Sequence, residues 1–200
     1  IDGGSNDESV SIIEEYALHI KYWISEKDKG IYNAQNKGLR HCIGKYVNFM
    51  NSGDTYFNEF SLSNLANAAT RGFDIVYGNV YFIAPGVKEW IKEYPSKPDL
   101  KFWRYDTPAH NASLIKTTKL LRSGGYDEKL LICSDWKFFV QAKLIHNMRF
   151  KHVNQTVSVF YLNGISAEEK NQALISKERE LVWNEIYKKP GIMKTLWKSI

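Results

Sequence analysis

The sequence predicts an α/β fold, a mainly parallel sheet with helices on its faces. Up to Tyr94, short apolar runs alternate with stretches of helical periodicity in the order strand, helix, strand, helix, strand, helix, strand. Two polar turns, Asp2-Gly3-Gly4-Ser5 and Asn51-Ser52-Gly53-Asp54, each follow the end of an apolar strand. In such a sheet they fall along one edge, where ligands bind beyond the carboxyl ends of the strands. The chain of 200 residues is long enough for one domain with a sizeable core.

The elements follow in order. Ser5 and Glu8 have capping-box spacing, and Val10, Ile13, Ala17 and Ile20 recur at helical intervals with Ile12 and Tyr16 widening the stripe. This predicts a helix over 8–19 that covers a sheet. Tyr22-Trp23-Ile24 reads as a short strand, and Asp28-Lys29-Gly30 as a loop. A helix is expected over 31–43, closed by Gly44, then a strand over 46–50. A third helix over 59–70 stops near Gly72, and a strand over 74–83 turns at Ala84-Pro85-Gly86 into a hairpin partner over 87–94. Three prolines between 95 and 108 predict a loop over the site. A strand over 112–115, a short helix to Arg122, a break at Gly124-Gly125, a helix over 134–145, a strand over 150–160 and a long polar helix over 168–188 complete the reading. A basic tail follows.

Hydrophobic residues make 44% and charged residues 24%, which suits a globular chain. The formal net charge of +5 is compatible with a phosphate-bearing ligand, an anionic membrane surface or nucleic acid. Basic residues are scattered among acids and no nucleic-acid motif is present, so no nucleic-acid partner is expected. Cys42 and Cys133 have no metal spacing and suit a reducing compartment. No apolar run approaches the about 20 residues that span a bilayer. Ile1 reads as the last residue of a strand, so an upstream piece is expected to be absent.

Three carboxylates carry the chemistry. Asp54 ends a turn directly after an apolar strand, where it can hold a divalent cation bridging a diphosphate, or simply bond its own backbone. Asp2 lies beside two glycines that let a ligand approach the backbone. It can bind a base or ribose, or serve the turn. Asp135 opens a helix, where it can act as general base or as a charge on the helix dipole worth about 0.3–1 kcal/mol. His110, after Pro108-Ala109, can bond phosphate, metal or acceptor, or be structural. Trp103, Trp136 and Tyr105 can stack on sugar or pack in the core.

Taken together, these segments resemble family 2 glycosyltransferases. Asp2-Gly3-Gly4-Ser5-Asn6-Asp7 resembles the family's Asp-Asp/Gly-Gly-Ser-x-Asp turn. The run from Glu26 through Asp28, Lys29, Gly30, Ile31, Tyr32 and Asn33 to Gly38 is similar to its Asp-Lys-Gly-Ile-Tyr-Asp-Ala-x-Asn-Lys-Gly segment. The run from Gly44 to Asp54 is similar to the strand leading into its metal motif. Gly124-Gly125-Tyr126-Asp127-Glu128 followed by Ser134-Asp135-Trp136 resembles the segment carrying the catalytic base. Asn163-Gly164-Ile165-Ser166 resembles the Gly-Gly-Val-Ser that often closes the domain. The likeness covers about residues 1 to 166, and the order and spacing of the motifs carry it.

The resemblance implies an N-terminally incomplete GT-A fold and inverting, in-line displacement at an anomeric carbon. It implies that Asp54 binds Mg²⁺ or Mn²⁺ and that Asp135 activates the acceptor. Asp2, Gly3, Asp28, Lys29, Ser52, Gly53 and His110 would bind the donor, a nucleotide-diphosphate sugar of which a UDP-sugar is the first choice. The nucleotide-binding part would span about 1–94 and the acceptor part about 95–166, with a helix and basic amphipathic tail over 167–200. Family members often serve capsule, lipopolysaccharide or exopolysaccharide assembly in bacteria on glycan or lipid-linked acceptors. The expectation is a cytoplasmic protein with peripheral membrane contact through that tail. The chain departs from the family where Asn51 and Gly53 stand in place of acids of the metal motif, which leaves a second reading open: a binding or scaffold domain without catalysis.

Overall fold

A computed structural model describes residues 1–84, 86–162, 164 and 168–188. Helix α1 (Ser9–Glu15) is followed by a 3-10 turn (Ala17–His19), then helix α2 (Ile31–His41), strands β1 (Tyr46–Val47) and β2 (Thr55–Tyr56), and helix α3 (Ser61–Ala69). The central strand β3 (Ile75–Ile83) turns into β4 (Trp90–Lys92), and α4 (Leu100–Tyr105) leads to a 3-10 turn (His110–Ala112) and β5 (Ser113–Lys116). Helices α5 (Thr117–Arg122) and α6 (Ser134–Leu144), strand β6 (Phe150–Tyr161) and helix α7 (Gln172–Tyr187) follow.

The strands form one six-stranded sheet in the order β1-β5-β3-β6-β2, with β4 paired to β3. The α/β class is as expected, but the sheet is mixed rather than mainly parallel. Among these strands only β3 and β6 run parallel, Ile75 opposite Phe150 and Ile83 opposite Tyr161, and the other pairings are antiparallel. Strand–helix alternation predicts parallel neighbours only when each helix returns the chain to the adjacent strand. Here β3 is flanked by β5 and β6, both from later in the chain.

Helices cover both faces. Ile75 and Ile115 join one buried cluster with Tyr32 and Leu39 of α2, Leu120 of α5 and Phe138 and Phe139 of α6. Their neighbours Val76 and Leu114 turn the other way and join Leu65 and Ala69 of α3. Helix α7 packs Val182 and Ile186 against Trp136 and Val140 of α6. Trp103 and Trp136 are each only 2% exposed, so both fill the core and neither offers a face to a sugar, whereas Tyr105 is exposed.

Several expected elements differ in extent. The capping box does not form: Ser5 Oγ donates to Asp2 Oδ1 at 2.5 Å, and Asp7 Oδ1 accepts the Ser9 N–H at 2.9 Å instead. None of the residues of α1 is buried, and its apolar stripe joins none of the buried clusters on the sheet. The strand expected at Tyr22-Trp23-Ile24 reduces to one parallel bridge between Asp2 and Ser25. The proline-rich loop contains α4, capped by Asp99 Oδ1 on the Phe102 N–H at 2.7 Å. No helix among the described residues is long and apolar enough to cross a membrane. Asn163, Ile165 and Ser166 of the closing motif, and the basic tail beyond Lys188, lie outside the described residues.

The buried stripe of α2 is Tyr32, Gln35, Asn36 and Leu39, spaced i, i+3, i+4, i+7. Its amide at Asn36 holds the chain before α6: Asn36 Oδ1 accepts the Tyr126 N–H, and Nδ2 donates to the Tyr126 carbonyl and to Glu128 Oε1, each at 2.8 Å. Gly125 lies against it with φ of 76°, and a Cβ there would stand 2.5 Å from Asn36 Oδ1. Gly125→Ala therefore combines left-handed strain of about 1–2 kcal/mol with loss of a buried amide contact of about 1–3 kcal/mol. Urea unfolding is expected to show the sum, roughly 2–5 kcal/mol; a loss below about 0.5 kcal/mol, the range of a neutral surface change, would mean that the clamp is dispensable.

Candidate active site

Asp54 and Asp135, distant in sequence and on different elements, line one cavity of about 620 Å³. Asp28, Ser52, Gly53 and His110 line it as well. Of the residues singled out in the sequence, Asp2, Gly3 and Lys29 do not reach its wall. Gly3 backs against Asp28, whose Oδ2 lies 2.6 Å from where a Cβ would be. Asp2 is spent on its turn: its carboxylate accepts from Ser25 Oγ at 2.6 Å, from Ser5 Oγ, and from the N–H groups of Gly4 and Ser5. The Ser25 and Ser5 bonds hold its pKa far below the usual carboxylate range. The side chain of Lys29 is solvent-exposed.

Asp135 is the second residue of α6. Its Oδ1 accepts the Trp136 N–H at 2.8 Å and stands 3.0 Å from the Tyr32 hydroxyl, whose single proton it shares with the Ile132 carbonyl. Its Oδ2 lies 3.0 Å from His110 Nδ1. The carboxylate side chain keeps 24% of its surface open and the imidazole 15%, enough for a small group in the cavity to touch both. Burial pushes the Asp135 carboxyl up, but the His110 bond and charge, the Trp136 N–H and the Tyr32 hydroxyl pull it down, and it ends below the ordinary value. For His110, burial pushes down while the bond to Asp135 and the charges of Asp135 and Asp54 push up, leaving it raised.

The other side of His110 meets an amide chain. Its Nε2 is 2.8 Å from Asn51 Nδ2, and Asn51 Oδ1 accepts from Gln35 Nε2 at 2.9 Å. In this arrangement Nε2 accepts and Nδ1 donates to Asp135, a neutral imidazole. A second proton on Nε2 needs Asn51 to turn its amide over. The flipped Asn51 would face Gln35 Nε2 donor to donor, so Gln35 must turn as well and present its Oε1, a buried oxygen with no partner among the described residues. The raised pKa and the amide orientation are thus two states of one chain of bonds.

Asp54 closes the same network. Its Oδ2 accepts the Asn51 N–H at 3.1 Å and its Oδ1 the Asn111 amide at 2.9 Å. Burial raises its pKa, and the charge of His110 and the bonds from Asn51 and Asn111 do not restore it. It is a half-buried anion short of positive charge, which is the chemistry a divalent cation relieves. Among the described residues no group of three or more His, Cys, Asp or Glu stands close enough to hold a metal alone. The donor set therefore fits a cation that arrives with phosphate oxygens, as Mg²⁺ does when one or two carboxylates and a substrate phosphate share it.

Tyr32, Gln35, Asn51 and Asn111 were not assigned roles from the sequence. The signal was there for two of them: Tyr32 and Gln35 sit on the buried stripe of α2, and a buried amide on such a stripe needs partners. Asn51 was marked only by its place in the turn that ends at Asp54, and Asn111 gave no signal.

Comparison with known proteins places these observations. The profile of "Glycosyl transferase family 2" matches residues 1–133. An uncharacterized glycosyltransferase of Mycobacterium tuberculosis is 26% identical over 161 residues, covering 72% of this chain and 56% of that protein. A PGL/p-HBAD biosynthesis glycosyltransferase of the same species is 24% identical over 146 residues, covering 70% and 56%. The chain thus spans about half the length of the curated relatives it matches. Among solved structures, S. aureus TarS 1–349 in complex with UDP superposes with a TM-score of 0.64 at 19% identity, over 80% of this chain and 49% of that one. TarS in complex with UDP-GlcNAc gives 0.63 at 18%, over 80% and 48%. The shared fold is the expected GT-A fold.

The two cavity acids are expected to titrate in opposite directions. Carboxyl-carbon NMR should place Asp54 above and Asp135 below an ordinary aspartate, and the reverse order would overturn this account of the cavity. The signs for stability follow. The Asp135 charge stabilises the fold above the ordinary carboxylate pKa, and this is lost as pH falls through its lowered value. The Asp54 charge destabilises the fold above its raised pKa, and that penalty fades as pH falls to the ordinary value.

Proposed function

The chain belongs to glycosyl transferase family 2, and on that premise we propose that the protein moves a sugar from a nucleotide diphosphate to an acceptor hydroxyl with inversion. The observation that carries the reading is the single cavity in which Asp54 and Asp135 meet, bridged by Asn51 and His110.

In this reading the donor diphosphate lies against Ser52, Gly53 and Asp54, with Asp28 on the same wall, and Asp2, Gly3 and Lys29 support the nucleoside side from behind. Asp54 would hold Mg²⁺ or Mn²⁺ together with the diphosphate; the cation's chemistry is neutralisation of charge on the leaving group. The acceptor oxygen forms its bond to the anomeric carbon as the bond to the diphosphate breaks. Its proton passes to Asp135. A carboxylate of lowered pKa is a weak base, so the transfer is favourable only as the hydroxyl becomes acidic during bond formation. His110 and Tyr32 keep the carboxylate aimed, and the raised pKa of His110 lets it carry positive charge opposite Asp135 until the proton arrives.

TarS is described in complex with UDP and UDP-GlcNAc, which favours a UDP-sugar donor here. A glycan or lipid-linked sugar is the acceptor class we favour, in cell-envelope polysaccharide assembly, with residues 1–94 serving the donor and 95–166 the acceptor. A second reading, a binding domain without catalysis, draws on the thinned acids of the Asn51–Asp54 turn. Calorimetry with UDP and Mn²⁺ separates the two, because the enzyme reading requires cation-dependent binding.

In the full-length protein, assayed for nucleotide-sugar hydrolysis and transfer, Asp135→Asn is expected to lower kcat by about 10²–10⁴ with the donor KM little changed. Asp54→Ala should abolish the Mn²⁺ dependence of UDP binding. Unchanged turnover in both variants would remove the assignment.

A further inference from the structure

Helix α7 carries a buried acid that the proposed reaction does not use. Its inward stripe is Glu178, Val182 and Ile186, one residue per turn, and Glu178 is only 5% exposed. A carboxylate in the middle of an apolar stripe is costly unless donors meet it. Three do, all from consecutive backbone amides: Leu131 N to Oε1 at 2.7 Å, and Ile132 N and Cys133 N to Oε2 at 3.1 and 2.9 Å.

Those amides belong to the segment that enters α6. The N-cap of α6 is Cys133, and no side chain caps it locally. Glu178 reaches from another helix to the N-cap amide and the two amides before it, and sets its carboxylate near the positive end of the α6 dipole. The same tripeptide is gripped from its other side, where the Ile132 carbonyl accepts the Tyr32 hydroxyl. Asp135 follows two residues later. Helix α7 is itself pinned against the domain: Lys137 of α6 bridges to Glu185 at 3.2 Å, Arg179 donates to the Tyr105 carbonyl at 2.7 Å, and the Arg104 guanidinium lies 4.9 Å over the Trp183 ring.

We propose that Glu178 is a positioning residue for the catalytic carboxylate: by holding the amides of 131–133 it sets where α6 begins and so where Asp135 meets His110 and Tyr32. The inference rests on Asp135 being the base, but its geometric half does not. Glu178 acts entirely through backbone, so it touches no substrate. Its side chain must be both long enough to cross from α7 and charged enough to satisfy three donors. Glutamine, of the same size, presents one acceptor and turns a donor toward the amides.

The test uses the full-length protein and Glu178→Gln, read first by the imidazole Nδ1 proton signal of His110, which reports its bond to Asp135 and needs no substrate. The expected result is a shifted or broadened His110 signal, with methyl signals of Leu65 and Val157 on the far face unmoved. Turnover should fall by on the order of 10- to 100-fold, the scale of a misplacement of about 1 Å, while UDP binding with Mn²⁺ stays as in the unchanged protein. A His110 signal that does not move overturns the proposal, whatever turnover does. A signal that moves with turnover intact supports the positioning and instead removes Asp135 as the base, which Asp135→Asn tests separately. Should Glu178→Gln fail to fold, Glu178→Asp keeps the charge one methylene short, and the same His110 displacement is expected from it.

Discussion

A carboxylate that is to stay ionised away from bulk water must be given donors, and Asp135 takes them from three parts of the chain. Its own helix supplies the Trp136 N–H, α2 supplies the Tyr32 hydroxyl, and the turn before β5 supplies the His110 imidazole. Each donor is immobilised by something else: His110 by Asn51, Tyr32 by the Ile132 carbonyl, the start of α6 by Glu178. The architecture around the cavity is largely a device for bringing α2, the His110 turn and α6 to one point and keeping them there. Two of the core clusters do this mechanically, one binding α2, α5 and α6 to the sheet and the other binding α6 to α7.

Asp54 is treated in the opposite way. It receives two neutral donors and feels the His110 charge without a bond to it, and burial still leaves its proton held more tightly than usual. One acid in the cavity is thus fully compensated within the fold and the other is left wanting charge. That asymmetry follows from local chemistry, since an imidazole faces Asp135 while amides face Asp54. In the proposed reaction it would divide the labour, Asp135 serving as the anion that takes the proton and Asp54 as the anion that meets a cation and diphosphate.

Much of this was legible in the residues. The helices at 31–41 and 134–144, the strand at 75–83 and the placement of Asp54 and Asp135 on one cavity follow from periodicity, turn chemistry and motif order. What escaped did so for identifiable reasons. The mixed sheet depends on which distant strands pair, and local pattern does not encode that. Helix α4 hides among prolines, where the Asp99 cap outweighs them. Asp2 reads as a ligand carboxylate, yet in the fold four nearby donors consume it. Trp103 and Trp136 read equally as sugar platforms or core, and burial decides for core. The polar look of α7 conceals Glu178, because a charge on a buried stripe is indistinguishable in sequence from one on a solvated face.

The parallel pairing of β3 with β6 sets when the molecule can complete itself. Asp74 bonds Arg149 across a separation of 75 residues, and the β3–β6 register begins beside that contact. At about 5–20 residues per second of synthesis, roughly 4–15 s pass between the emergence of the two strands. Throughout that interval β3 has an open edge rich in Val, Ile, Tyr and Phe, because β4 and β5 share the opposite edge and leave the β6 side unpaired. Nascent chains of this protein should accordingly lean on holding chaperones until Tyr161 has cleared the ribosome, and stalling between α3 and β6 is the point at which aggregation would begin.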